Sequence, residues 1–205
     1  YGYTNARSTH AHSYIQYPLL SMLNPKKNKC ILDLGCGNGA LVRTLLLRGF
    51  HAYGTDASVQ GITIAKASHP DRFALQDLAS DDLPVEFAEL RFDTIIATEV
   101  IEHLYDPRHF ISFCRRVLRQ CPAGGQLILS TPYHGYLKNL TIGLTGSWDN
   151  HVNPLWDGGH IKFWSRRTLT ALLEEHDFDV TEFRGCGRLP YLWKSMLLKG
   201  TINND

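Results

Sequence analysis

Short apolar runs alternate with amphipathic stretches along most of this chain. The runs CILDL (30–34), HAYGTD (51–56), RFALQD (72–77), FDTIIAT (92–98), GQLILST (125–131), FDVTEF (178–183) and SMLLKG (195–200) have the length and composition of strands. Between them, residues 41–48, 59–68 and 107–120 repeat their apolar positions at helical spacing, and a short helix is expected after Leu78. SRRTLTALLEEH (165–176) joins a serine cap to a stripe of leucines, the mark of a helix before the sixth strand. Strand and helix in alternation predict a parallel sheet covered by helices on both faces.

Residues 133–160 break this rhythm. The segment is rich in glycine, asparagine and aromatic residues and too long for an ordinary connection, so it reads as a functional flap. The aromatics Tyr133, Tyr136, Trp148, Trp156 and Trp164 either line a substrate pocket or cover a core; their concentration in a polar insertion favours the pocket. The expected organisation is one domain, 1–205, with an N-terminal helical cap over 1–29 and the flap over 133–160.

Composition narrows the options. The chain has 205 residues, 43% of them hydrophobic, which is enough for one core and not for two full domains. Its formal net charge is +1, and the basic clusters are confined to KKNK at Lys26 and RR at Arg115 and Arg166, so no basic stripe points to nucleic acid. Five cysteines, Cys30, Cys36, Cys114, Cys121 and Cys186, stand far apart with no C-x-x-C pair and no leader peptide, which predicts a reduced, cytoplasmic protein. Cys114 and Cys121, two helical turns apart, are expected to share a buried helix face. No apolar run approaches the roughly 18 residues of a membrane span. A Ser-His-Asp elbow, a P-loop and a zinc-type cysteine cluster are all missing, which removes the hydrolase, kinase and zinc-enzyme readings.

The chemistry concentrates at strand ends. CILDLGCGNGALVRTL, beginning at Cys30, runs a buried strand into an acid, then glycines at alternate positions, then an amphipathic helix. Asp33, Gly35, Gly37 and Gly39 form D-x-G-x-G-x-G, distinct from the dinucleotide pattern in which a pyrophosphate sits on the helix N-terminus. Here the last glycine arrives one residue early, which suits a ligand lying across the loop, although such a turn by itself is often only a tight loop. Asp56 ends the second strand near the offset at which an acid meets ribose hydroxyls. Asp77, after the third strand, either accepts a hydrogen bond from an exocyclic amine or caps the next short helix. Loop, ribose and base contacts at three strand ends describe a nucleoside.

ATEVIEHL follows the fourth strand. If Glu99 opens a helical turn, then Glu99, Glu102 and His103 stand at i, i+3 and i+4 and face one way. Three uses compete for them. The acids are favoured in a first turn by the helix dipole, beside a packed histidine. Alternatively His103 is a general base, worth about 10² to 10⁴ in rate. In the third use the group holds a divalent cation that acidifies an acceptor hydroxyl.

ILDLGCGNG, GTDAS, LQDL and IIATEVIEHLYDP resemble, in order over nearly the whole chain, the class I S-adenosylmethionine-dependent methyltransferases. Within that family the likeness is strongest to the ubiquinone-biosynthesis O-methyltransferases, with a similar E-x-x-E-H-x-x-x-P and STP-like residues after the fifth strand. The resemblance implies a Rossmann-like, doubly wound, seven-stranded sheet, mostly parallel with the last strand antiparallel. It implies S-adenosylmethionine as cofactor and S-adenosylhomocysteine as product. The cofactor contacts would come from Asp33, Gly35, Cys36, Gly37, Gly39, Asp56, Ala57, Asp77, Leu78, Thr98 and Glu99. Among these the glycines would lie against the methionine part, Asp56 at the ribose, Asp77 and Leu78 around adenine, and Thr98 on the floor. Glu99, Glu102 and His103 become the catalytic candidates. The small-RNA 2′-O-methyltransferases also resemble the chain here and add a downstream histidine, whose counterpart is His160, so a divalent metal stays open. The ubiquinone enzymes carry an arginine before a proline ahead of the first strand; SYIQYPLL (13–20) has none, so either Tyr14, His12 or another N-terminal group takes that role or the chain departs from that subfamily. The expected acceptor is a small-molecule hydroxyl, with an RNA-directed methyltransferase and a non-catalytic S-adenosylmethionine-binding module as alternatives. GYLKNLTIGLTGSW, apolar and poor in charge, admits weak contact of the flap with a membrane surface.

Overall fold

All seven apolar runs form strands in a computed structural model, which describes Asn5, residues 12–122 and residues 124–202. They are β1 (Cys30–Leu34), β2 (His51–Asp56), β3 (Phe73–Leu75), β4 (Thr94–Thr98), β5 (Gln126–Pro132), β6 (Phe178–Cys186) and β7 (Ser195–Ile202). One sheet orders them β3-β2-β1-β4-β5-β7-β6. The ladders among the first five are parallel, and β7 runs antiparallel to both β5 and β6.

The helices are α1 (His12–Ser21), α2 (Ala40–Leu47), α3 (Val59–Lys66), α4 (Pro107–Leu118), α5 (Tyr136–Leu144) and α6 (Arg166–Glu174). Successive strand residues point to opposite faces, and strands buried on both sides are apolar throughout. Thus Ile31, Ile96 and Ile128 share one core with Ile15 and Leu19 of α1, Leu41 and Leu45 of α2 and Ile62 of α3. Leu32, Ile95 and Leu127 share the other with Phe110 and Phe113 of α4 and Leu169 and Leu173 of α6. Three helix starts are set locally. Ser58 Oγ accepts from the Gly61 amide, Asp106 Oδ1 from the His109 amide ahead of Pro107, and Ser165 forms a reciprocal box with Thr168. Each such cap contributes about 1 kcal/mol.

Four expectations need correction. No helix follows Leu78: Asp77 Oδ1 takes the Ala79 amide in a turn, and only a 3₁₀ turn, Val85–Phe87, forms beyond Pro84. Cys121 shares no helix face with buried Cys114, because α4 ends at Leu118. β6 runs on to Cys186 because it pairs along the length of β7, with a register shift between Val180 and Glu182. The insertion is not all loop, since α5 occupies its first half. Of the N-terminal cap, α1 is seen, and the residues before it, Asn5 apart, lie outside the described residues, as does the side chain of His12. No helix among the described residues is long and apolar enough to cross a membrane.

Strand order reverses at β1, which has β2 on one side and β4 on the other. A sheet of this kind opens a crevice beyond the carboxyl ends of those strands. Gly35 and Glu99 both stand there.

Candidate functional site

The loop after β1 has a geometry that side chains resist. Gly35, Gly37 and Gly39 take φ of 77°, 56° and 77°, a left-handed region that costs other residues about 1–2 kcal/mol. Space is short as well: a Cβ on Gly35 would stand 2.5 Å from Val100 Cγ2, and one on Gly39 2.6 Å from the Phe73 ring. The amides of Gly35 and Cys36 donate to the Thr55 carbonyl at 2.8 and 2.9 Å. Asp56 completes the tie, accepting from the Gly37 amide on Oδ2 and the Ser58 amide on Oδ1, both at 2.7 Å. Its carboxylate still has lone pairs for a ligand hydroxyl. Asp33 lies buried at the foot of the loop, and its Oδ1 has no hydrogen-bond partner among the described residues. Burial, then the charge of Asp56, pushes its pKa well above the carboxylate range. A buried acceptor without a donor, beside backbone that a ligand can approach closely, fits a cofactor that brings N–H groups.

The structure gathers Asp33, the three glycines, Asp56 and Thr98 at the ends of β1, β2 and β4. Cys36 is buried, so it offers this loop backbone and not thiol. Ala57 is exposed beside Asp56, while Asp77 and Leu78 follow β3 with the Asp77 carboxylate exposed and one oxygen already in its turn. Asp56→Ala is expected to weaken S-adenosylhomocysteine binding by about 1.5–3 kcal/mol, the loss of hydrogen bonds to a charged group. Calorimetry on the folded variant checks it; unchanged affinity would mean that another group holds the ribose.

Glu99 does not open a helical turn. Its φ is 55°, and the 3₁₀ turn spans only Ile101–His103. Such strain in a residue with a Cβ persists where surroundings impose it. Here Ser130 of β5 imposes it: its carbonyl and Oγ accept from the Glu99 amide at 3.1 and 3.0 Å, and Oγ donates to Oε1 at 2.8 Å. Ser195 of β7 donates to Oε2 at 3.2 Å, and the Tyr14 hydroxyl lies 3.5 Å from the same serine oxygen. Ser195 thus stands between Tyr14 and Glu99.

Glu102 and His103 turn the other way, towards His160. Glu102 is fully buried, and neither carboxylate oxygen has a partner of normal hydrogen-bond geometry among the described residues, although Thr131 lies near enough to lower its pKa. His103 Nδ1 donates to the carbonyls of Gly158 and Gly159 at 2.9 and 3.2 Å, and its Nε2 lies 4.0 Å from Glu102 Oε1. The His160 ring is 4.9 Å away, centre to centre. One ligating atom each from Glu102, His103 and His160 lie within 4.8 Å of one another, a spacing that suits a cation. Burial, then the charge of His103, pushes His160 down to about 4, so its nitrogen stays free of a proton at neutral pH. The return leg of the insertion is pinned to this cluster, with the amides of Ile161 and Lys162 donating to the Glu102 carbonyl at 2.9 and 3.0 Å.

Few of the expected pocket aromatics are in a pocket. Tyr133 and Trp164 pack on the core, Tyr136 and Trp148 face solvent, and Trp156 alone stands beside His103 and His160, at 6.0 and 5.4 Å between ring centres. Lys138 of α5 and Ser195 were not anticipated, since each is brought in by a distant helix or strand, and Thr131 was noted only as part of the family-like STP after the fifth strand.

Burial, against the hydrogen bonds of Ser130 and Ser195 and the charge of Lys138, raises Glu99 to about 7. Burial and the Glu99 charge push Glu102 well upward. The folded protein thus keeps a proton on Glu99 that the unfolded chain releases near pH 4.3. Between about pH 4.5 and 7 that contribution to stability falls as pH rises. Urea melts are expected to show wild type losing stability relative to Glu99→Gln across this window. A pH-independent difference between the two would remove Glu99 from the titration.

A protein-family model described as "Methyltransferase domain" matches residues 8–182. The ubiquinone biosynthesis O-methyltransferase of Hahella chejuensis is 30% identical over 169 residues, covering 80% of this chain and 68% of that protein. The protein of the same name from Cereibacter sphaeroides is 27% identical over 179 residues, covering 85% of this chain and 70% of that one. Among solved structures, magnesium protoporphyrin IX methyltransferase from Synechocystis PCC 6803, with bound S-adenosylhomocysteine, superposes with a TM-score of 0.66 at 20% identity. That match covers 94% of this chain and 82% of the other.

Proposed function

We propose, for a chain that belongs to the methyltransferase-domain family and is an S-adenosylmethionine-dependent methyltransferase, that the methyl group goes to a hydroxyl oxygen of a small-molecule acceptor. When bound, the cofactor supplies a methyl group already activated on a sulfonium. The chain's own work is to hold the acceptor in line, exclude water and deal with the hydroxyl proton, where positioning alone contributes about 7–11 kcal/mol. Gly35, Gly37 and Gly39 give the cofactor backbone to lie on, with Asp56 at the ribose and Asp33 as acceptor. Relatives named as O-methyltransferases support oxygen as the target, and a net charge of +1 without a basic stripe supports a small acceptor over a polyanion.

The observation that carries the reading of the catalytic centre is the buried, unpartnered carboxylate of Glu102 beside His103 and His160. These three would hold a divalent cation, which would lower the pKa of an acceptor hydroxyl. Glu102 brings the anionic oxygen, and His103 and His160 bring ring nitrogens. The Nδ1–H bonds of His103 to Gly158 and Gly159 orient its ring as outer partners of metal-bound histidines do. A second reading rests on the same ring: with Nδ1 committed to carbonyls, Nε2 of His103 can itself take the proton.

The test is methyl transfer from labelled S-adenosylmethionine to catechol, phenol and carboxylic-acid acceptors, before and after chelation. Label in a methyl ether, lost with chelator and restored by magnesium or manganese, is the expected result. Label on nitrogen or carbon only would overturn the oxygen reading. Activity indifferent to chelation would leave His103 as the base.

A further inference from the structure

α5, the residues after it as far as His151, and the turn between β6 and β7 line an open cavity of about 760 Å³. Its walls hold two cations, Lys138 and Arg188, and the apolar side chains of Ile142, Leu189 and Leu192, with hydroxyl, amide and imidazole groups from residues 141–151 between them. Lys138 is only 5% exposed. Its Nζ donates one hydrogen bond, to the Lys194 carbonyl at 3.3 Å, and it enters no ion pair among the described residues. An ammonium has three N–H donors, so two are left for the cavity. Arg188 stands at φ 62° in the turn, and it too enters no ion pair among the described residues. Burial, then the charge of Arg188, presses Lys138 down to about 8. The charge of Glu99 acts on Lys138 in the opposite sense, but burial holds a proton on that carboxyl, so two like charges at one cavity, one of them buried, are only partly offset and favour an anion beside them.

The cavity adjoins the reaction site. Lys138 donates to the carbonyl of Lys194, and the next residue, Ser195, donates to Glu99. The cavity thus shares Lys138 with the clasp on Glu99, whose carboxyl feels the charge of that lysine.

We propose that this cavity recognises the acceptor and that the acceptor carries an oxyanion, carboxylate or phosphate, on an apolar frame. Lys138 and Arg188 take the oxyanion; the guanidinium fork matches two of its oxygens, and the ammonium adds a point charge. Ile142, Leu189 and Leu192 take the frame. The inference rests on the small-molecule reading above and narrows its substrate class.

The full chain, saturated with S-adenosylhomocysteine, is titrated by calorimetry with 4-hydroxybenzoate, 4-hydroxyphenyl phosphate and uncharged 4-hydroxybenzamide. At least one anion is expected to bind tenfold or more tightly than the amide, and the tighter of the two identifies the oxyanion. Lys138→Met and Arg188→Gln are each expected to cut that preference at least fivefold, and Arg188→Gln to leave S-adenosylhomocysteine affinity unchanged. If Lys138→Met fails to fold, the exposed Arg188→Gln carries the test alone. Equal affinity for anions and amide in the wild type, including no detectable binding of any of them, overturns the proposal; so does a preference that survives in every folded variant. The titration involves no turnover, so a failure of oxygen methylation leaves it readable, and a failed charge preference leaves the hydroxyl reading standing.

Discussion

Replacing Glu102 by glutamine is expected to leave a folded protein that binds S-adenosylhomocysteine within about threefold of wild type and methylates at least 100-fold more slowly. The carboxyl is completely buried, and burial together with Glu99 favours its protonated form when nothing is bound. Glutamine matches that neutral acid in shape, so folding loses little. What the amide does not supply is an anionic oxygen for a cation, and removing one ligand of three leaves two histidines, which hold a divalent ion weakly. Thermal melts, calorimetry and a labelled-methyl assay separate these outcomes. Full activity in a folded Glu102→Gln protein would show that the unpartnered carboxylate has no part in the reaction.

His103→Ala is expected to lower the methylation rate by about 10² or more, with cofactor affinity again within about threefold. Alanine also removes the anchor that Gly158 and Gly159 provide, so part of the loss would come from a loosened insertion. His103→Asn separates the two effects, because its amide still donates to those carbonyls but has no ring nitrogen to bind a cation or a proton. The asparagine protein should be as slow as the alanine one. Recovery of activity in His103→Asn would make the residue a tether and nothing more.

The parts of this molecule that were legible in its sequence are those with local causes. CILDL and FDTIIAT announce strands buried on both faces, and the structure sends Ile31 and Leu32, or Ile95 and Ile96, into opposite cores. Ser165 was readable as a cap because its partner, Thr168, is one turn away. The glycine loop was readable because only glycine suits three left-handed positions so close together. The clasp on Glu99 was not, since Ser130 and Ser195 come from 31 and 96 residues away and impose a backbone conformation that glutamate does not choose alone. That strain also explains why Glu99, Glu102 and His103 do not share one helical face. The helix α5 was hidden by Thr141, Ile142 and Gly143, which weaken helical propensity and yield only to packing. His160 was named through family likeness, and its closeness to His103 depends on the path of an insertion that carries no periodic signal.

The most direct measurement is anomalous diffraction from crystals grown with S-adenosylhomocysteine and manganese. The account predicts the nucleoside across Gly35, Gly37 and Gly39 with its ribose at Asp56, and one manganese peak about 2 Å from an oxygen of Glu102 and a nitrogen each of His103 and His160. A nucleoside in place with no anomalous peak at these three residues, or with manganese bound elsewhere, would contradict it.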